Sequence, residues 1–112
     1  MQDKTVLITG TASGMGRIAA KALADKGARL ILVDFDTEKG IRSKDEIIRS
    51  SGNKDIEYFD CDVSSFRALR ELSRQIHNHY SQLDVLINNA GITESIRTVS
   101  YTHLTLPTIL LV

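Results

Sequence analysis

The sequence predicts an α/β protein on a doubly wound parallel sheet, truncated after its fourth strand. Three observations predict it: short apolar runs, amphipathic segments between them, and a glycine-rich turn directly after the first run. The runs are Thr5 to Thr9 (TVLIT), Leu30 to Val33 (LILV), Ile56 to Phe59 (IEYF) and Val85 to Ile87 (VLI). All but IEYF are continuous rather than alternating, as expected of parallel strands buried on both faces. The order strand, helix, strand, helix, strand, helix, strand then implies right-handed crossovers within one sheet.

The helices follow from stripes and stop signals. After Gly16, the residues Ile18, Ala19, Ala22 and Leu23 form an apolar stripe, with Lys21, Asp25 and Lys26 outside it and Gly27 as the stop. Asp36 or Thr37 offers a cap for a second helix running to about Ser51, where Gly52 ends it. Ser64 or Ser65 offers the cap of a third. Its Phe66, Leu69, Leu72, Ile76 and Tyr80 face inward, and Arg67, Arg70, Glu71 and Arg74 face outward.

At 112 residues there is room for one domain, and 42% hydrophobic with 25% charged residues is an ordinary globular composition. Fourteen basic residues balance fourteen acidic ones, which gives no electrostatic case for nucleic acid or an anionic membrane. A single cysteine, Cys61, excludes an internal disulfide, suits a reducing compartment and reads as a buried structural thiol. The apolar run in MQDKTVLITG is too short for a signal peptide, and nothing approaches the roughly 18 apolar residues of a membrane span. A cytoplasmic domain is expected. His77 and His79 sit near a helix end and read as solvated, and no metal site is expected.

The turn between the first strand and first helix is Thr9-Gly10-Thr11-Ala12-Ser13-Gly14-Met15-Gly16. Glycine at 10 lets the backbone turn off the strand, at 14 lets it approach a pyrophosphate, and at 16 lets the helix pack on the sheet. The amides and dipole of the helix start then receive phosphate charge. Asp34, at the tip of the second strand, lies 18 residues beyond Gly16, near the separation at which a carboxylate reaches adenosine ribose hydroxyls. Asp34 or Asp36 could instead cap the next helix, with Asp36 the better placed. Asp62, in Asp60-Cys61-Asp62-Val63, ends the third strand on the same edge, as an adenine contact or a cap of the third helix. The fourth strand runs into Asn88-Asn89-Ala90-Gly91, which suits the cleft where strand order reverses but could also be a plain turn.

Together the TGTASGMG turn, Asp34, the CDV segment and NNAG resemble the short-chain dehydrogenase/reductase family over roughly residues 3 to 98. The pattern T-G-x-x-x-G-x-G is similar to the standard-length branch. The resemblance implies a Rossmann-type sheet and a nicotinamide cofactor, with NAD(P)-dependent hydride transfer between that cofactor and an alcohol/carbonyl pair. By it, Gly10, Ser13, Gly14, Met15 and Gly16 cradle the phosphates, and Asp34 holds the adenosine ribose. Asp62 and Val63 meet the adenine, Asn89, Ala90 and Gly91 meet the ribose on the nicotinamide side, and Asn88 braces the sheet. It also implies a small-molecule alcohol or carbonyl substrate and a homo-oligomeric parent. NAD is expected over NADP, because Asp34 would face a 2′-phosphate while position 13 is Ser, position 35 is Phe and Arg17 points along its helix. Rival readings are a nucleotide-sensing domain without catalysis and a dinucleotide-dependent epimerase or dehydratase, which the glycine spacing disfavours.

Family members continue into a Tyr-x-x-x-Lys helix that supplies the acid/base pair. Here Tyr101 is followed at 105 by Thr105, and no lysine follows Lys54, so no catalytic residue is assigned. Val99 to Thr108, VSYTHLTLPT, instead resembles a translated transposon-end sequencing adaptor, GTC-TCT-TAT-ACA-CAT-CTG-ACG-CTG-CCG-ACG. The expectation is a dinucleotide-binding fragment over 1–98, an unrelated tail over 99–112, and an apolar fourth-strand edge left open to other chains.

Overall fold

The computed structural model describes residues 3–12, 14–88 and 97–100, with the backbone alone described at 88 and 97–100. The elements run β1 (Thr5–Thr9), α1 (Gly14–Asp25), β2 (Arg29–Asp34), α2 (Thr37–Ser51), β3 (Ile56–Asp60), α3 (Phe66–His79), β4 (Val85–Asn88) and β5 (Arg97–Ser100). The sheet order is β3-β2-β1-β4-β5, and β1 pairs in parallel with both β2 and β4. The chain therefore winds outward through β2 and β3, then crosses back to the other side of β1. That return places α3 on the opposite face from α1 and α2.

Period-two alternation divides the strand residues between two cores. Leu7, Ile31, Val33 and Leu86 pack with Leu72, Ile76 and Tyr80 on the α3 side. Val6, Ile8, Leu30, Leu32 and Ile87 pack with Ala20, Ala24 and Ile47 on the α1/α2 side. β1 and the last five residues of β2 are buried throughout, as their continuous apolar runs require.

The caps are local and fall where side-chain chemistry puts them. Asp36 caps α2 by accepting from Lys39 N–H at 3.1 Å, and Gly52 closes it in the left-handed region at φ 75°. Ser65, rather than Ser64, caps α3 by accepting from Ala68 N–H at 3.2 Å.

Two details differ from the sequence expectation. The buried face of α1 is Gly16, Ala20 and Ala24, with Leu23 beside it, while Ile18 is 68% exposed. Small residues at i, i+4 and i+8 let the helix seat close to the strands, and the bulkier isoleucine is turned out. Second, the sheet does not end at the fourth strand. β5 pairs antiparallel with β4, from Val85↔Ser100 to Asn88↔Arg97, and covers the edge that was expected to be open. An uncovered strand offers a row of unpaired amides and carbonyls, and β-branched Thr98 and Val99 suit an extended partner.

Candidate dinucleotide site at the carboxyl edge of the sheet

Because β1 to β4 are parallel, their carboxyl ends share one edge, and the sequence-predicted residues gather there. Gly10 turns off β1 at φ 72°, and its N–H donates to Val33 O at 2.8 Å, prolonging the β1–β2 ladder by one bond. Gly14 opens α1 at φ 65°, a conformation L side chains avoid, and the space beside its Cα is open for 4 Å. Gly16 is buried on the sheet face of α1. Met15 is 61% exposed at the same turn. The first turn of α1 carries no acidic residue, so nothing there opposes an anion drawn to its amides.

The loop is tied down from two neighbours. Asp34, buried at the tip of β2, accepts from Ala12 N–H through Oδ2 at 2.9 Å. Its Oδ1 accepts from Phe35 N–H at 2.7 Å and Asp36 N–H at 3.3 Å. Asp34 thus sits against the glycine loop, and the helix cap falls to Asp36. From α2, the buried Ser43 hydroxyl donates to Thr11 O at 2.9 Å. The Thr11 hydroxyl is fully buried and finds no partner among the described residues. Open glycine backbone, a bare helix start and a strand-tip carboxylate together fit the phosphate–ribose portion of a dinucleotide.

At the third strand, Asp62 is exposed and folds back on its own turn. Its Oδ1 accepts from Ser64 N–H at 3.0 Å and from the Ser64 hydroxyl at 2.6 Å, and these bonds hold its carboxyl below the usual range. Asp62 therefore does not cap α3 itself; it shapes the turn that leads to Ser65. Val63 is half-buried against the α3-side core. Cys61 is buried, and burial with the nearby Asp62 and Asp60 pushes its thiol up to about 11, which keeps it unreactive. Ser13, Asn89, Ala90 and Gly91 lie outside the described residues, as does the side chain of Asn88.

Sequence reasoning missed Thr11 and Ser43, whose roles rest on a bond across 32 residues. It also misplaced Arg17. The Arg17 guanidinium does not lie along α1 but pairs with Glu46 of α2. With Ala12, Lys39, Arg42 and Ser43 these two line a cavity of about 220 Å³ beside the glycine loop. Periodicity shows that a residue leaves a helix face, but not which neighbouring helix receives it.

A parallel sheet in this order, with a glycine turn after β1 and a carboxylate at the tip of β2, defines a Rossmann-type α/β protein. Within that class the chain belongs to the short chain dehydrogenase family, whose sequence profile matches residues 4–107. It is 38% identical over 92 residues to human 15-hydroxyprostaglandin dehydrogenase [NAD(+)], covering 82% of this chain and 35% of that protein. It is 37% identical over 97 residues to a 3beta-hydroxysteroid dehydrogenase of Mediterraneibacter gnavus, covering 87% of this chain and 34% of that one. Among solved structures, a Shigella flexneri short chain dehydrogenase complexed with NADP superposes with a TM-score of 0.75 at 30% identity, over 82% of this chain and 39% of that chain. The chain thus spans about a third of the length of the curated relatives it matches.

Proposed function

We propose that residues 1–98 are the dinucleotide-binding N-terminal part of an NAD(P)-dependent oxidoreductase. In the intact protein, hydride would pass between a nicotinamide cofactor and a small-molecule alcohol or carbonyl substrate, within a homo-oligomer. The observation that carries this reading is the Asp34 carboxylate lying against Ala12 of the glycine loop, which supports a ribose site next to a phosphate site. In this assignment Gly10, Ser13, Gly14, Met15 and Gly16 hold the pyrophosphate with backbone amides and the helix dipole. Asp34 accepts from the adenosine ribose, Asp62 and Val63 border the adenine, and Asn89, Ala90 and Gly91 meet the nicotinamide-side ribose. The bound nicotinamide supplies the hydride carrier, while this part of the chain supplies binding and orientation. In this reading the cofactor roles stop at residue 98 and residues 99–112 are a foreign tail, although the family profile runs on to residue 107 and β5 includes Val99 and Ser100.

NAD is the preferred cofactor in this reading. A 2′-phosphate would bring its charge to the Asp34 carboxylate, a repulsion of about 1 kcal/mol per pair of unit charges at 4 Å even in water. Arg17, Lys39 and Arg42 line the cavity beside Ala12, and of these Arg17 is paired with Glu46 and Arg42 with Glu38. The human relative named above carries NAD(+) in its name and the Shigella structure holds NADP, so relatives support either nucleotide. The test is the ratio of NAD+ to NADP+ affinity before and after Asp34→Ala. The expected result is a preference for NAD+ that the substitution erodes, mainly by weakening NAD+. Equal affinities at the outset, or a ratio untouched by Asp34→Ala, would remove Asp34 from the ribose site.

A further inference from the structure

Tyr58 occupies the middle of β3, the outer strand of the parallel sheet, and its ring passes beneath Gly40 of α2. A Cβ on Gly40 would overlap the ring carbons and stand 2.7 Å from the hydroxyl. Glycine within a helix costs about 1 kcal/mol against alanine, so the ring is accommodated at the expense of the helix. Packing alone would be served by phenylalanine. The hydroxyl adds a bond: it donates to the carbonyl of Asp34 at 2.9 Å.

That carbonyl also accepts the ladder bond from Cys61 N–H at 2.9 Å, so both of its lone pairs are engaged. The same peptide carries Phe35 N–H, which donates to the Asp34 carboxylate at 2.7 Å. Fixing the peptide at its oxygen therefore fixes the donor that aims the carboxylate. The groups facing the phenol are Asp34, Asp36, Asp60 and the side chain of Thr37. Burial, aided by the three acids, pushes it up to about 12, and it remains a donor at any physiological pH.

We propose that Tyr58 is a positioning residue for the adenosine ribose of the dinucleotide, acting through Asp34, with Gly40 providing its clearance. This rests on the assignment of Asp34 to the ribose. A phenylalanine here would leave the Asp34 carbonyl held by its ladder bond alone.

The test is a double-mutant cycle on NAD+ and NADP+ dissociation constants, with the 112-residue chain, Tyr58→Phe, Asp34→Ala and the pair. Tyr58→Phe should weaken NAD+ by about three- to tenfold, the value of one hydrogen bond, and leave NADP+ within about twofold. It should have no further effect in the Asp34→Ala background. Gly40→Ala, which displaces the ring, should reproduce the loss for NAD+. Tyr58→Phe that is silent, weakens both nucleotides equally, or acts undiminished without Asp34 would overturn the proposal while leaving the ribose assignment standing. An Asp34→Ala variant with an unchanged nucleotide ratio would instead overturn the ribose assignment, and the role of Tyr58 with it.

Discussion

Two buried carboxylates stand at opposite ends of the strands and do different work. Asp34 lies at the carboxyl edge, where it meets the glycine loop. Asp84 lies just before β4, at the amino edge, where its Oδ2 accepts from Thr5 N–H at 2.8 Å and its Oδ1 accepts from the Gln82 amide at 2.6 Å. The backbone bond from Thr5 holds the Asp84 carboxyl below its ordinary range. Its contribution to stability is therefore present above the unfolded pKa of about 3.9 and lost as pH falls through the lower folded value. Asp84→Ala leaves the Thr5 amide without this acceptor and should cost about 1–3 kcal/mol at neutral pH. Urea midpoints should converge for the two proteins as pH drops below about 4; a constant gap down to pH 2 would contradict the ionised bond. Asp34 was legible from its distance to the glycine turn, a spacing set by one strand and one helix. Asp84, Ser43 and Tyr58 were not, because each is defined by a partner tens of residues away that no local pattern reveals.

At the scale of elements, the caps, the strands and the phase of α3 were readable, and the phase of α1 was not. Asp36, Gly52 and Ser65 act on backbone groups within four residues, so their chemistry is written locally. The phase of α1 depends instead on how closely the helix sits on β1 and β2. The stripe through Ile18, Ala19, Ala22 and Leu23 missed Ala20 and took in Ile18. In α3 the predicted stripe holds at Leu72, Ile76 and Tyr80, with Leu69 packed against them, and fails at Phe66 in the first turn, which is 74% exposed. The observed phase predicts an inverted pair of mutants. Ile18→Ser should change stability by no more than about 0.5 kcal/mol, as at an ordinary surface position. Ala20→Leu should cost about 1–3 kcal/mol through overpacking. Chemical denaturation of both variants checks this, and a larger loss from Ile18→Ser than from Ala20→Leu would restore the rejected stripe.

At the scale of the molecule, the parallel sheet was legible because strands buried on both faces leave unbroken apolar runs. β5 was not legible: four residues, RTVS, carry no such signal, and pairing along an edge depends on where the chain returns. If the tail is foreign, residues beyond β5 add nothing to stability. Removing residues 101–112 should leave the unfolding midpoint unchanged, whereas a fall of several degrees would mean on the order of 1 kcal/mol of native packing. The purified chain should also transfer no hydride with any alcohol or ketone, since acid/base catalysis worth about 10²- to 10⁴-fold has no assigned residues here. Turnover lost on Tyr101→Phe would contradict that. The central claim, that this chain is a dinucleotide-binding unit, is tested most directly by titrating NAD+ into isotope-labelled protein and following its backbone amides. The account predicts saturable shifts concentrated in Gly10 to Gly16, Asp34 to Asp36 and Asp62 to Val63, with the last turn of α3 unmoved. No saturable shift, or shifts centred away from the carboxyl edge of the sheet, would contradict it.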